Sequence, residues 1–330
     1  MSASIIIIGA GMTGITAASR LHQAGFSTTI IEKSRGIGGR LATRRTRQGF
    51  AFDHGAQFIS PRDPNFQTWL NQAAANGHAA IWQPSSAEPS PHPWYTGQPG
   101  MNGLLRSAAE PLNIQTDTTI TSISTTGQSI SLTAAETSIK SQFDGLILTA
   151  PVPQTAKLLA PLNLIDAATN TAIADQLAKV AMAPCWALLL AFDQPLNLDA
   201  DVWRSKDTSH PLAWAARNNS KPGRNATPEC WIIHASPAWS ITNLERTAED
   251  IAPELFALFQ TTIAPNAPAP TYQAAHRWRY AMTTQPLGTP FLRAATSRIW
   301  AGGDWALGPR VEAAYLSGQA IAEDVIKQFS

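Results

Sequence analysis

Two cysteines in 330 residues, Cys185 and Cys230, stand 45 positions apart, which excludes a CxxC redox pair and a cysteine-rich zinc site. No metal is expected, and a thiol-poor chain suits the reducing cytoplasm. Charge is equally scarce. Asp, Glu, Lys and Arg make up 14% of the residues, and 24 basic against 23 acidic groups leave a net charge of +1, with no field to steer nucleic acid. No stretch approaches 18 uninterrupted apolar residues, and the opening "MSASIIIIGAGM" lacks a basic region before its four isoleucines, so neither a membrane span nor a signal peptide is expected. Tyrosine is rare, four against eleven tryptophans, and most of the tryptophans are read as core. What the chain does have is apolar material, 44% of it, over a length that outgrows one core. Two domains and a small-molecule partner are expected.

The β-branched run 4–8 suits a strand buried on both faces, and it flows into Gly9, Gly11 and Gly14 in GxGxxG spacing. A helical pattern through Ile15, Ala18 and Leu21 follows, closed by Gly25. A second strand, 28–31, ends on Glu32, 23 positions after Gly9. The parts have distinct physical roles. Gly9 permits the tight turn, Gly11 lets backbone approach a pyrophosphate, Gly14 lets helix and strand pack closely, and Glu32 accepts from ribose hydroxyls. The pyrophosphate would lie at the helix N-terminus, against Met12 and Thr13.

Directly after the acid comes "KSRGIGGR", Lys33 to Arg40, whose glycines and Arg40 suit a phosphate. With this segment the sequence resembles the flavin amine oxidase superfamily. The resemblance implies FAD, with Lys33, Gly39 and Arg40 near the dinucleotide. It also makes "FDHGAQFI" (52–59) the segment passing the isoalloxazine, with Ala56, Gln57 and Phe58 beside the ring. Ile120 falls near the position that approaches adenine through its backbone. In the C-terminal "GGDWALGPRVEAAYLSG", the resemblance implies that Gly303 and Asp304 fold back to the ribityl chain. The helix starting at Arg310, Val311 and Glu312 would then aim its N-terminus at the pyrimidine end of the ring, with Arg310 and Glu312 near cofactor rather than solvent. No cysteine lies in this stretch, so the FAD is expected to be non-covalent.

The expected fold is α/β: a Rossmann-like FAD-binding domain of the two-domain p-hydroxybenzoate hydroxylase and amine oxidase type, with an α+β substrate domain built on an antiparallel sheet. The FAD-binding domain is placed at 1–60, 101–155 and 290–330, and the substrate domain at 61–100 and 156–289. The hairpin 118–132 through Gly127 and the strand 143–151 are both read as returning to the flavin sheet. Segment 84–99, rich in proline and serine, is read as a loop, with Trp94 and Tyr95 alternatively covering the active site. A helix is expected over 158–177 and another over 248–262, and strands over 185–192, 212–217, 230–236 and 276–281.

"HRWRYA" (276–281), "SKPGR" (220–224) and "WIIHASPAWS" (231–240) bring the chain closest to the renalases, the bacterial ones in particular. That resemblance implies oxidation of 2-dihydro and 6-dihydro isomers of NAD(P)H to NAD(P)+, with O2 reduced to hydrogen peroxide. Trp278, Arg279, Tyr280, His234 and Lys221 are the substrate-contact candidates, and Lys221 and Arg224 are read either as phosphate contacts or as part of a solvated loop. Aromatisation drives the hydride transfer, so no proton-transferring catalytic residue is assigned. Alternation puts His276, Trp278 and Tyr280 on one strand face and Arg277 and Arg279 on the other, and spacing leaves open which face meets substrate. None of the seven lysines lies in this strand, which weighs against an ordinary amine oxidase. An amine oxidase or desaturase-like enzyme and a non-catalytic FAD protein stay as alternatives. The preferred isomer, NAD against NADP, and the oligomeric state stay open.

Overall fold

The computed structural model describes residues 3–85, 90–127, 129–135, 138–162, 167–293 and 298–330. Two compact units emerge, Met1–Gly39 with Leu105–Met182 and Thr283–Ser330, and Arg40–Leu104 with Ala183–Met282.

The first unit is built on a six-stranded sheet in the order Leu292–Arg293, Ile299–Ala301, Gly145–Leu148, Ser4–Ile8, Ser27–Ile31, Asn113–Gln115. All neighbours are parallel except the edge strand Leu292–Arg293. Ile5, Ile6 and Ile7 are fully buried, as a central strand covered on both faces requires. The helix Met12–Gln23 follows the first strand, burying Ile15, Ala18 and Leu21. It ends where Gly25, at φ +87°, donates to the His22 carbonyl while the Phe26 N–H reaches Leu21, the glycine-terminated stop read from the sequence. The long helix Val311–Phe329 packs on it, and a Cβ at Gly318 would come within 2.6 Å of the Thr13 carbonyl oxygen.

The hairpin 118–132 does not return to this sheet. Its strands, Ile120–Thr126 and Ser129–Ala134, join Ser138–Phe143 in a separate three-stranded antiparallel sheet. The reason is pattern: Ile120, Ile123, Ile130 and Leu132 supply one apolar face only, whereas Gly145–Leu148 is buried throughout and fits between parallel neighbours. In place of one helix over 158–177 there are two, Val152–Leu159 and Ala167–Ala178, with residues 163–166 outside the described set. Pro161 is incompatible with continuing the first.

The second unit carries a five-stranded sheet in the order Val202–Arg204, Leu212–Arg217, Glu229–Ala235, Ala181–Phe192, Tyr272–Gln285. Helix Ala248–Thr262, capped by the Thr247 hydroxyl on the Asp250 N–H, covers one face through Ile251, Leu255 and Phe259. Alternate residues Ala187, Leu189, Cys230 and Ile232 face the other way, onto Phe52, with Tyr272 and Trp278 beside them. In segment 84–99 the structure shows a strand, Trp94–Gly97, paired with Ala79–Trp82; residues 86–89 are outside the described set.

The compact units differ from the expected bounds over 40–60 and 156–182 and, by a few residues, over 101–104 and 283–289. Residues 40–60 pack with the second unit, because Phe52 is part of its core, and 156–182 pack with the first, because Leu158, Leu159, Ile173 and Leu177 join the cluster around Ile6 and Leu146. Two passages between units, 182/183 and 282/283, fall inside strands, so no loop composition marks them.

Candidate active site

In the first unit the site is made of backbone. Gly9 sits at φ +109°, and a Cβ at Gly14 would lie 2.0 Å from the Gly9 carbonyl oxygen, so helix and turn touch through glycine alone. The Thr149 hydroxyl donates to the carbonyls of Ile8 and Gly9, fixing the turn from the neighbouring strand. A Cβ at Gly11 would meet nothing within 4 Å, and no side chain caps the helix that follows. Gly38 donates to the Ala10 carbonyl, and Gly39, at φ +54°, approaches Gly11: 28 residues apart in sequence, the two glycine segments form one surface.

Glu32 is buried, and its two carboxylate oxygens accept from the N–H groups of Ala10 and Ser34 at 2.8 Å. It therefore clamps the glycine turn as well as presenting an acceptor. Thr118, two residues before Ile120, donates to the Glu32 carbonyl, which brings the start of that strand to the acid. Met12 and Thr13 are buried in the first turn, and the Thr13 hydroxyl reaches the Ala314 carbonyl at 2.9 Å. Lys33 stands apart from the turn, exposed, with its ammonium 3.3 Å from Gln154.

Asp304 does not cap the long C-terminal helix. It opens a separate short helix, Asp304–Leu307, buried, with the Thr283 hydroxyl 3.3 Å from its carboxylate. Gly303 donates to the Ser317 hydroxyl. The long helix starts at Val311 after Arg310, without a side-chain cap. Glu312 is buried there and pairs at 2.7 Å with Arg310, whose side chain is 42% exposed. Arg310 is thus partly in solvent, against the expectation, while its guanidinium is held to the helix start by the buried Glu312 carboxylate.

In the second unit the site is made of side chains. Arg40 donates to the Ala281 carbonyl, and its own carbonyl takes the Ala56 N–H, leaving no room for a Cβ at Gly55. Every carbonyl from Asp53 to Gly55 is held by a side chain: the Gln57 amide donates to Asp53 and Gly55, and Trp278 Nε1 (2.9 Å) and His234 Nε2 (3.1 Å) meet that of His54. His54, His276 and Trp278 form a ring cluster with centroids 4.5–4.9 Å apart. Phe58 stacks on Trp94 at 3.9 Å. Burial, aided by neighbouring positive charge, pushes His54 down to about 3 and His234 and His276 down to about 4. All three imidazoles are neutral at pH 7 and are weak bases.

Beneath this segment lies a charge cluster. The Asp53 carboxylate meets Arg224 Nη2 at 2.6 Å and Lys221 Nζ at 3.4 Å, and also accepts from the Thr43 hydroxyl and the Met101 N–H. Burial alone would raise Asp53, but the Lys221 and Arg224 charges and these hydrogen bonds outweigh it and hold the group well below the usual carboxylate range. Lys221 is fully buried, and its ammonium also contacts Gln57 Oε1 (3.1 Å) and Asn218 Oδ1 (3.2 Å). A solvated loop is thereby excluded, and the three protein acceptors leave Lys221 no direct role on a substrate phosphate. Arg279 pairs with exposed Glu245 through two bonds, on the strand face opposite Trp278. The Trp278 face is the one turned to 52–58, and Tyr280 alternates with it, half-buried. Asp53, the centre of this cluster, was missed by sequence reading; its only signal was its place in "FDHGAQ", two positions before Gly55.

Among the described residues no group of His, Cys, Asp or Glu is arranged to hold a metal ion, and no helix is long and apolar enough to cross a membrane.

A Rossmann-type glycine turn in one unit and an antiparallel sheet in the other define a mixed α/β dinucleotide-binding protein. Residues 7–73 match the NAD(P)-binding Rossmann-like domain family, and residues 69–326 match the family described as flavin containing amine oxidoreductase. The chain belongs to this flavin amine oxidoreductase family, whose members are oxidoreductases that carry a flavin. Its fold is similar to that of cyclohexylamine oxidase from Brevibacterium oxydans IH-35A (TM-score 0.76, 12% identity, all of both chains). A putrescine oxidase double mutant is similarly placed (TM-score 0.76, 14% identity, 99% of each). In sequence it is 42% identical to an L-amino-acid oxidase of Siganus canaliculatus over 67 residues, 20% of this chain and 12% of that protein. It is 43% identical to phytoene desaturase of Neurospora crassa over 56 residues, 17% of this chain and 9% of that protein. The matched stretches thus span only a small part of these curated relatives. The residues fit a flavin dinucleotide: the space open at Gly11, the uncapped helix start and the buried acid are what a pyrophosphate and ribose require.

Proposed function

We propose that this chain is an FAD-dependent oxidase of the renalase type, which oxidises 2-dihydro and 6-dihydro isomers of NAD(P)H to NAD(P)+ and returns the electrons to O2 as hydrogen peroxide. In this reading Gly9, Gly11, Met12, Thr13, Gly14, Glu32 and Gly39 hold the dinucleotide non-covalently, Ile120 lies toward adenine, and Gly303, Asp304, Val311 and Glu312 serve the ribityl and pyrimidine end. Arg40 and the segment Ala56, Gln57 and Phe58 serve the ring. Bound flavin supplies the hydride acceptor and the route to O2.

The observation that carries the substrate choice is the ring cluster of His54, His276 and Trp278. It is aromatic and contains no group able to take a proton at pH 7, since burial pushes His54 down to about 3 and His276 down to about 4. A general base works best with a pKa near the operating pH. An alkylammonium substrate must lose a proton before it donates hydride, whereas a dihydropyridine need not. Trp278 and Tyr280 then contact substrate, His234 acts indirectly by holding the His54 carbonyl, and Arg279 and Lys221 make no contact with it. A second reading, an amine oxidase or desaturase-like enzyme, draws on the names of the relatives, but their matches over 56 and 67 residues are too short to carry a substrate. The two free cysteines, raised by burial to about 12, are inert and agree with a cytoplasmic setting.

The test is anaerobic stopped-flow absorbance of the purified protein mixed with the 2-dihydro and 6-dihydro isomers, with 4-dihydro-NADH and a primary amine as controls. Rapid loss of the oxidised-flavin band with the isomers alone, followed by peroxide formation in air, is expected. Bleaching by the amine would transfer the protein to the amine oxidases.

A further inference from the structure

The second unit holds another group of aromatic rings, at the other end of segment 54–58. Phe58 covers one face of Trp94, Trp214 lies 6.0 Å from Trp94 and 5.6 Å from Phe58, and Trp82 lies 5.7 Å from Trp94. Packing accounts for Trp82, which is 2% exposed and donates to the Ser220 hydroxyl. It leaves two features unexplained. Trp94 and Trp214 stay half-buried, and Trp214 Nε1 is buried without a hydrogen-bond partner, although an indole N–H inside a protein is ordinarily paired.

A cation stands beside these rings. Arg204 is directly opposite Trp214 in the antiparallel pair of Val202–Arg204 with Leu212–Arg217, so the two side chains share a sheet face with Cβ atoms about 5 Å apart. Arg204 is exposed, and among the described residues its guanidinium forms no ion pair or hydrogen bond. The carboxylate nearest in sequence, Asp201, is taken by Arg217 at 2.9 Å. A flat ring for a base and an unpaired guanidinium for a phosphate are the two parts of nucleotide recognition. Their placement relates them to the His54 cluster of the same unit. His54 and Phe58 are four residues apart, a reach of at most about 14 Å. The strands carrying Trp214 and Trp278 are three spacings apart in the sheet, again about 14 Å. The two riboses and diphosphate of a dinucleotide bridge such a distance, and a mononucleotide does not.

We propose that Trp94, Trp214 and Arg204 form a subsite for the adenosine half of the dinucleotide substrate, with the base against the indoles and its ribose 2′-phosphate on Arg204. The inference rests on the dihydropyridine reading above and deepens it: the preferred substrate is the phosphorylated, NADP-type isomer. Phe58 holds Trp94 in place by stacking on it. The subsite touches no reacting atom, so it sets KM and selectivity and leaves the hydride step alone.

Two measurements on the purified protein test this. Calorimetric titration with adenosine 2′,5′-bisphosphate and with adenosine 5′-monophosphate needs no turnover. The wild type is expected to bind the bisphosphate more tightly, Arg204→Gln to reduce that preference about tenfold, and Trp94→Ala to weaken both ligands about tenfold. In steady-state oxidation, the ratio of kcat/KM for 2-dihydro-NADP to that for 2-dihydro-NAD is expected to fall by a similar factor in Arg204→Gln, through KM. Arg204 is exposed, so Arg204→Gln keeps the fold and decides the matter even where Trp94→Ala does not. A bisphosphate preference absent from the wild type or retained in Arg204→Gln would overturn the proposal, as would 2-dihydro-NMN oxidised with the same kcat/KM as the dinucleotides. Bisphosphate binding that depends on Arg204, in a protein whose flavin no dihydro isomer bleaches, would overturn the function reading and leave the nucleotide subsite standing. Bleaching by the isomers without bisphosphate binding would overturn the subsite alone.

Discussion

Around Gly9 the polar groups are backbone, and around Asp53 they are side chains. The glycine turn starts a helix that no side chain caps, and the buried Glu32 beside it accepts from two backbone N–H groups. The Asp53 region encloses three charged groups and fills its carbonyls with the side chains of Gln57, Trp278 and His234. The first arrangement tolerates any ligand with phosphates, because peptide dipoles are the same in every chain. The second is particular to these residues, because a buried charge network works only when each member is present.

The comparison breaks most visibly at Asp53. Asp53→Asn leaves Lys221 and Arg224 buried without an anion, and a loss of about 3–5 kcal/mol in denaturant unfolding is expected. Acid should act next. The three imidazoles have folded values lowered to about 3 and 4, against about 6.5 when unfolded. The unfolded chain therefore binds more protons between these values, so stability is fully present above about pH 6.5 and declines as pH falls toward 4. A thermal midpoint that stays flat from pH 7 to 4.5 would contradict this.

The glycines sharpen the contrast. Gly14→Ala puts a Cβ 2.0 Å from the Gly9 carbonyl oxygen and should destabilise by about 1–3 kcal/mol as well as weaken flavin retention. Gly11→Ala enters empty space and should leave the melting temperature alone while lowering the flavin content of the purified protein. Similar losses of stability in both would show that Gly11 is structural. Least is expected of Arg279→Ala, which removes an exposed pair with Glu245: neither the melting temperature nor the KM for a dihydro isomer should change measurably.

Much of the first unit was legible in the chain. The strand at Ser4–Ile8, the helix closed before Gly25, and the acid after the second strand all follow from local pattern. Contacts between distant segments were not legible. Gly38 on Ala10 joins two glycine runs through a hydrogen bond that no spacing rule specifies. "SKPGR" reads as a polar loop by composition, yet it buries Lys221, because Asp53, more than 160 positions earlier, is there to receive it.

By itself, then, the sequence determined a dinucleotide turn and the elements around it, since glycine torsions, strand alternation and helix capping act within a few residues. Only the tertiary structure decided that Arg279 faces Glu245, that Trp278 joins His54, and that a buried ammonium lies on Gln57. The physical reason is that burial is a property of the assembled fold: whether a lysine is a solvated charge or a desolvated one depends on what packs over it.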